Sequence, residues 1–345
     1  MNLKWAQNLV KWMCWTAVLL SLFLLPGAAT IAQNEYAAQL ANLFDRDSVT
    51  IVITDSGLGG LSVCAGLESR LRDSHLIRSV RLVFVNALPD LASTYNSMAS
   101  VEEQARVFDD VLKGIEFTSH PDAILIACNT LSAVYPKTVF ARKSALPVVS
   151  MIQVGSRMIA ERTRASGNSD VVIFGTPSTI SSGVYQEQLS ALGIGRGRII
   201  VQPCKLLESE IQADPKSDVV NSLVETYVDE AMEKLGYGVS GRISVGLCCS
   251  HYGYSADVFR RCLRQKAGER FDLLNPNDAM VALLDMPKGI KFVRPASTSV
   301  EVLSRVPITD QEIQSIAGAL TGTSRKTANA LRHYRQRDNL FPFKK

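Results

Sequence analysis

The sequence has few histidines and lacks the paired cysteine spacings of a zinc site. Only four histidines occur in 345 residues, and the adjacent pair Cys248 and Cys249 has no matching second pair. The formal charge is also small, at +4, and basic residues gather only near the C-terminus, where they fit a solvated helix face. The sequence therefore predicts neither a metal site nor a nucleic-acid partner.

A nucleotide-binding loop is missing as well. Gly57, Gly59 and Gly60 lie close together, but they lack the GxGxxG spacing and no Lys-Ser/Thr pair follows them. A tight turn between a strand and a helix explains these glycines, because glycine lets the backbone approach other groups closely. We therefore expect no bound nucleotide.

The N-terminal apolar run, residues 12–25, stops at Pro26-Gly27, short of the ~20 residues that a membrane span needs. Lys4 and Lys11 precede the run, and small residues follow it up to Ala32. This order is typical of a secretory signal peptide, here residues 1–32. We expect an exported protein, periplasmic or extracellular. An uncleaved membrane anchor is an alternative, and the protein would be cytoplasmic if the signal is not used.

Six of the seven cysteines remain after this cleavage. An even number of cysteines in an oxidising compartment is typical of disulfides. A chain of this length, with 46% hydrophobic residues, can bury a sufficient core without them. Cys128 and Cys249 end apolar runs and are followed by small polar residues, which favours reactive thiols. The sequence leaves both interpretations open.

Short apolar strands alternate with amphipathic helices, the pattern of parallel α/β sheets covered on both faces. The predicted strands are 49–54, 80–85, 122–127, 147–150, 170–174, 198–201 and 243–247. The same interval separates Asp55 from Cys128 and Thr176 from Cys249, which indicates two half-chains of similar plan. We predict two pseudo-symmetric, doubly wound α/β domains with the active site in the cleft between them. The first domain is discontinuous, 33–146 and 252–345, and the second is 147–251.

Four predicted strands end in residues suited to binding or catalysis, namely Asp55, Cys128, Thr176 and Cys249. Ligands collect at the carboxyl ends of such strands. Two thiols that face one substrate carbon from opposite sides can invert that carbon by moving a proton. Asn129 can open a helix whose N-terminus would lower the pKa of the Cys128 thiol. His251, two residues past Cys249, can exchange a proton with the second thiol.

Four segments, in this order along the chain, resemble motifs of glutamate racemases in the aspartate/glutamate racemase superfamily. The segments are 54–63 with Asp-Ser-Gly, 127–133 with Cys-Asn-Thr, 175–185 with Gly-Thr-Pro, and 249–252 with Cys-Ser-His-Tyr. The resemblance covers roughly residues 49–300. It implies a two-domain α/β fold and an isomerase that interconverts L- and D-glutamate without a cofactor. It also implies a supply of D-glutamate for peptidoglycan, a cytosolic role that conflicts with a signal peptide, and it allows a homodimer.

The resemblance also implies roles for particular residues. Cys128 and Cys249 would be the two proton-transferring groups, Asp55 would assist Cys128 and contact the substrate ammonium, and His251 would assist Cys249. Glu210 matches the second-domain glutamate of the family by gapless count, with Glu208 as its rival. The residues expected to bind the substrate are Ser56, Asn129, Thr130, Thr176, Ser250, Tyr95 and Asn96.

This chain departs from the resemblance in the loop that would meet the distal carboxylate of the substrate. The loop contains Asn86-Ala87-Leu88-Pro89-Asp90 and then Thr94-Tyr95-Asn96, where glycine is usual at position 96. Two alternatives therefore remain open. One is a racemase or isomerase of the same fold for another acidic or cyclic substrate, such as aspartate or a hydantoin. The other is an exported, non-catalytic protein that binds acidic ligands and has oxidised thiols.

Overall fold

A computed structural model describes residues 40, 43, 46–74, 77–167, 169–236, 241–284 and 297–343. The predicted signal peptide, residues 1–32, lies outside the described residues, so export stays a prediction. Within the described ranges, no helix is long and apolar enough to span a membrane.

The chain forms two parallel β-sheets surrounded by helices. The strands are β1 (Ser48–Asp55), β2 (Ser79–Asn86), β3 (Ala123–Ile126), β4 (Val148–Ser150), β5 (Asp170–Gly175), β6 (Ile199–Pro203), β7 (Ile243–Cys248), β8 (Phe271–Leu274), β9 (Ser297–Ser304) and β10 (Arg335–Gln336). The first sheet has the order β10-β9-β2-β1-β3-β4, and the second has the order β6-β5-β7-β8. The predicted α/β class with two parallel sheets is confirmed.

The helices connect successive strands and cover both faces of each sheet. In chain order they are α1 (Leu61–Ser74), α2 (Val101–Ser119), α3 (Asn129–Val134), α4 (Val139–Lys143), α5 (Met151–Ala165), α6 (Pro177–Ser181), α7 (Val184–Ala191), α8 (Leu207–Ala213), α9 (Asp218–Leu235), α10 (Ala256–Ala267), α11 (Pro276–Ala282), α12 (Asp310–Leu320) and α13 (Arg325–Arg332).

Strand side chains alternate between two apolar layers, as the nearly continuous apolar runs predict. In β1, Ile51 and Ile53 belong to one buried cluster, whereas Val52 belongs to the cluster on the opposite face. At the end of β7, Cys248 and Cys249 likewise lie in different clusters. This alternation directs the Cys248 thiol away from the layer that contains Cys249.

The two sheets divide the chain differently from the predicted domain boundaries. Strand β4 pairs with β3, so residues 148–150 belong to the first sheet although they were assigned to the second domain. Strand β8 pairs with β7, so residues 271–274 belong to the second sheet although they were assigned to the first domain. Strands this short carry no periodicity that shows which sheet they join. The chain returns to the first sheet at β9, beside β2.

Two C-terminal helices pack against the first sheet and reach toward the second. Thr309 caps α12 in a reciprocal capping box with Glu312, and Ser324 caps α13 by accepting from the Thr327 N–H. The Ser324 hydroxyl also donates to the buried carboxylate of Glu68 in α1 at 2.8 Å. Helix α12 lies against α8, the helix that follows strand β6 of the second sheet. The C-terminal helices therefore contact both halves of the protein.

Asp272 anchors β8 to its neighbours. Its carboxylate accepts from Arg242 at 2.7 and 2.8 Å and from Arg162 in α5 at 2.8 Å. These contacts, that of Arg242 first, hold the pKa of Asp272 well below its ordinary value. A lowered folded-state pKa stabilises the fold above the unfolded pKa of about 3.9, and this stabilisation is lost as pH falls through the folded-state pKa.

We expect Asp272→Asn to lower the free energy of unfolding by about 1–3 kcal/mol at neutral pH, because two guanidinium groups lose their anion. Urea unfolding followed by circular dichroism at a series of pH values measures this. The free energies of unfolding of the wild type and of Asp272→Asn should converge as the solution is acidified below about pH 4. Asp257→Asn, at a carboxylate 97% exposed in its pair with Arg260, is the matched control and should change little. A constant difference at every pH would contradict the assignment.

Candidate active site

The carboxyl edges of the two sheets meet at one place. The Ser250 hydroxyl, which follows β7, donates to Asp55 Oδ2 at the end of β1 over 2.6 Å. Thr130, at the start of α3, hydrogen-bonds with Thr176 after β5 at 3.1 Å. Each of these hydrogen bonds joins a residue at the carboxyl edge of the first sheet to a residue at the carboxyl edge of the second. The strand ends selected from the sequence therefore share one buried region.

The glycine-rich loop after β1 allows this close approach. The Gly60 N–H donates to Asp55 Oδ2 at 2.6 Å. A Cβ atom on Gly60 would lie 2.9 Å from that same oxygen. A Cβ atom on Gly59 would lie 2.7 Å from the backbone nitrogen of His251. A side chain on Gly59 would push away the segment after β7, and one on Gly60 would clash with Asp55 and Ala127 at the end of the first sheet. The loop thus brings Asp55 against the second sheet.

Cys128 follows β3 and caps α3. Its Sγ accepts from the Leu131 N–H at 3.5 Å and is hydrogen-bonded with the Ser56 hydroxyl at 3.2 Å. Burial raises the pKa of the Cys128 thiol to about 12, and the charge of Asp55 acts in the same direction. The hydrogen bonds from Ser56 and Leu131 lower the pKa but do not offset burial. The start of α3 thus lowers the pKa of the Cys128 thiol through the Leu131 N–H, as expected, but burial outweighs this effect.

Cys249 follows β7 and has a different partner. Its Sγ lies 3.8 Å from His251 Nδ1. Burial raises the pKa of the Cys249 thiol well above its ordinary value, and the charge of Glu208 adds to this, whereas the His251 N–H opposes it. Burial also lowers the pKa of His251, against the charges of Asp55 and Glu312. Both the thiol and the imidazole are therefore neutral near neutral pH.

Helix α8 brings Glu208 and Gln212, rather than Glu210, to this site. Glu208 raises the pKa of Cys249, and Gln212 Oε1 lies 2.9 Å from His251 Nε2. These two residues are one helical turn apart and share a face, whereas Glu210 points elsewhere. Of the two glutamates considered from the sequence, Glu210 and its rival Glu208, it is Glu208 whose charge acts on Cys249. Gln212 was missed because a single glutamine carries no sequence signal.

Asp55 and Asn129 each present an unused polar atom beside Cys128. Asn129 Oδ1 accepts from the buried Tyr185 hydroxyl at 2.6 Å. Asn129 Nδ2 and Asp55 Oδ1 are buried without a hydrogen-bond partner within the part of the chain that the structure describes. Buried polar atoms normally find partners, so this donor and this acceptor are available to a ligand. Tyr185, which holds the Asn129 amide, was not among the predicted site residues.

Tyr95 and Asn96, the two residues of the 86–96 loop that were expected to bind the substrate, differ in burial. Tyr95 is buried, packs edge-on against Phe108, and has a hydroxyl without a described partner. Burial, followed by the charge of Cys128, raises its pKa. Asn96 is exposed and donates to Glu208 Oε1 at 3.0 Å. Asn96 and Thr130 also line a cavity of about 290 Å³ that extends to Lys137 and the hydroxyl groups of α6.

The described residues contain neither a disulfide nor a metal-binding cluster. Their six cysteines are all free. In the same residues, no group of three or more histidine, cysteine or carboxylate side chains is arranged to hold a metal ion.

Comparison with known proteins gives concordant results. A family model described as Asp/Glu/Hydantoin racemase matches residues 51–241. The glutamate racemase of Aquifex pyrophilus is 28% identical over 203 residues, which cover 59% of this chain and 70% of the relative. That of Syntrophus aciditrophicus is 27% identical over 231 residues, covering 67% and 76%.

Solved structures show the same fold. A glutamate racemase isoform from Bacillus anthracis superposes with a TM-score of 0.59 at 18% identity, covering 79% of this chain and 93% of that one. The glutamate racemase of Francisella tularensis, in complex with D-glutamate, gives a TM-score of 0.58 at 20% identity, covering 80% and 94%. The two-domain α/β architecture is thereby confirmed.

Proposed function

The chain belongs to the Asp/Glu/Hydantoin racemase family, and we propose that it interconverts L- and D-glutamate by proton transfer through Cys128 and Cys249. It is an isomerase, an amino-acid racemase. The glutamate racemases among its relatives support glutamate as the substrate. The proposed reaction uses the protein's own acid and base groups and needs no cofactor.

One observation carries this proposal: two buried thiols follow strands of different sheets, and each has its own acid-base partner. Cys128 lies with Ser56 and Asp55, and Cys249 lies with His251. An α-hydrogen is a very weak acid, so its removal requires a positioned base and an acid ready on the opposite face. In the proposed reaction one thiolate removes the proton, and the other thiol protonates the carbanion from the other side.

The unused polar atoms beside Cys128 suit the head of an amino acid. Asp55 Oδ1 can accept from an ammonium group, and Asn129 Nδ2 can donate to a carboxylate. The hydroxyl groups of Ser56, Thr130, Thr176 and Ser250 already bind protein atoms, which fixes their orientation around the site. We assign the substrate's ammonium and α-carboxylate to Asp55 and Asn129 respectively.

Burial keeps both thiols protonated, so each must lose its proton to a neighbour when it acts as the base. For Cys249 that neighbour is the neutral imidazole of His251. For Cys128 it is Asp55, whose charge acts on the thiol. The two directions of racemisation thus use different proton acceptors.

We expect Cys128→Ala and Cys249→Ala each to lower the racemisation rate by about a hundredfold or more, because either change removes one of the two proton-transferring groups. Chiral chromatography of L- and D-glutamate reactions measures this. Cys262→Ala, at a buried thiol of α10, is the control and should retain activity. Wild-type rates in both active-site variants would refute the two-thiol assignment.

Glu208 favours a second candidate function, racemisation of a cyclic substrate such as a hydantoin. One of its carboxylate oxygens binds Asn96, and the other is buried without a described partner. A carboxylate there repels the distal carboxylate of glutamate unless one of the two is protonated. Burial raises the pKa of Glu208, which favours its protonation. A hydantoin instead offers N–H donors that the ionised group can accept.

Glu208→Gln separates these two candidates. For glutamate, removal of the charge should raise kcat/KM roughly tenfold at neutral pH, since one pKa unit of repulsion corresponds to that factor. For a hydantoin it should lower kcat/KM, because an ionised acceptor is lost. Kinetics on glutamate, aspartate and hydantoins measure both effects. Glu210→Gln, the same change two residues away, is the matched control and should alter neither. A decrease with glutamate would contradict the proposed substrate.

A further inference from the structure

The side-chain amide of Gln212 has three hydrogen-bond partners that fix its orientation. The Leu58 N–H donates to one end at 2.8 Å, and that end also lies 2.9 Å from His251 Nε2. The other end lies 2.5 Å from Glu312 Oε1. An N–H requires an acceptor and a carboxylate requires a donor. The oxygen of Gln212 therefore faces Leu58 and His251, and its NH₂ group faces Glu312.

This orientation determines which nitrogen of His251 carries the proton. Gln212 Oε1 can only accept, so His251 Nε2 must donate to it. Burial lowers the pKa of His251, which leaves one proton on the ring near neutral pH. His251 Nδ1 is then unprotonated, and this nitrogen lies 3.8 Å from Cys249 Sγ. The second ring nitrogen is thus available to accept the proton of the Cys249 thiol.

Glu312 holds Gln212 from the C-terminal helices. Its Oε2 accepts from the backbone N–H and the hydroxyl of Thr309 at 2.9 and 2.7 Å, in the capping box of α12. Its Oε1 remains for Gln212. A continuous series of hydrogen bonds therefore runs from the start of α12 through Gln212 to His251. The charged groups that act on His251 are Asp55, from β1, and Glu312, from α12.

We propose that Gln212 is a positioning residue that fixes His251 as the neutral tautomer protonated on Nε2, with Glu312 fixing Gln212 in turn. The catalytic consequence rests on the proposed racemase function. When Cys249 acts as the base, its S–H bond breaks and the sulfur keeps the electron pair. The proton forms a new bond to His251 Nδ1, giving an imidazolium. The thiolate then takes the α-hydrogen and Cys128 gives its proton to the carbanion. The cycle closes when the imidazolium releases its proton to solvent and the Cys128 thiolate takes one up from solvent.

The amide at position 212 has a second consequence. A carboxylate there would place a negative charge against the Nε2–H of His251 and stabilise the imidazolium. The amide keeps that charge one hydrogen bond further away, on Glu312. His251 thus stays neutral and can accept a proton at a pH where a carboxylate-bound histidine would already be charged.

Exchange of the two residues, Gln212→Glu with Glu312→Gln, tests this assignment. The double change keeps the hydrogen-bond pattern and the net charge but moves the negative charge against His251. Nitrogen-15 NMR of histidine-labelled full-length protein reports the protonation of each ring nitrogen, and His251→Gln identifies the signal. The wild type should show Nε2 protonated and Nδ1 free at neutral pH. In the exchange variant, His251 should titrate about one pH unit or more higher.

A second amide–carboxylate pair provides the matched control. Gln202 donates to Glu230 at 2.6 Å between β6 and α9, outside the site. Gln202→Glu with Glu230→Gln makes the same exchange and should leave the His251 signals unchanged. A proton on Nδ1 in the wild type, or the same His251 titration in the Gln212/Glu312 exchange variant, would overturn the proposal.

Kinetics separate this inference from the proposed function. In the exchange variant, the acid limb of the pH profile of kcat/KM should move to higher pH by the same amount as the His251 titration. The shift should be the same for L-glutamate and for D-glutamate as substrate, because the two enantiomers have equal free energies. If the wild type racemises no substrate while the NMR results hold, the function fails and the tautomer assignment stands. Active wild type with a proton on Nδ1 rejects the role of Gln212 and leaves the function intact.

Discussion

The hydrogen bond from Ser250 to Asp55 joins the carboxyl edges of the two sheets, and the rest of the site depends on it. Its length of 2.6 Å requires the backbone of the β1–α1 loop to lie against the segment after β7. Gly59 makes that approach sterically feasible, and Gly60 leaves room for the Asp55 carboxylate. Cys128 and Cys249 then share one buried region, and Asp55 keeps one carboxylate oxygen for a ligand.

Burial is the second constraint, and it explains why the two thiols have unlike partners. It raises the pKa of both thiols and lowers that of His251, so that the thiols and the imidazole are neutral near neutral pH. Proton transfer then requires a neighbour for each thiol. Cys128 has a carboxylate and Cys249 has a neutral imidazole. The network through Gln212 and Glu312 connects the second of these partners to the C-terminal helices.

Much of this arrangement is predictable from the sequence, because apolar runs locate the strands and strand ends locate the site. Asp55, Cys128 and Cys249 follow directly from that reasoning. Other features depend on geometry that the chain encodes only through its folding. The sequence leaves Glu210 and Glu208 as rivals, because a count along the chain does not show which face of α8 reaches the site; the structure places Glu208 and Gln212 there. Likewise, a short strand such as β4 shows its sheet only by its pairing.

The central claim is that different thiols serve the two faces of the substrate carbon, and hydrogen exchange during the reaction tests it most directly. L-glutamate is incubated with the protein in deuterium oxide, and both enantiomers are isolated early and analysed by mass spectrometry. Two thiols predict deuterium at the α-carbon of the D-glutamate formed, whereas the remaining L-glutamate keeps its hydrogen. Equal deuterium uptake in both enantiomers from the start would indicate a single base and contradict the account.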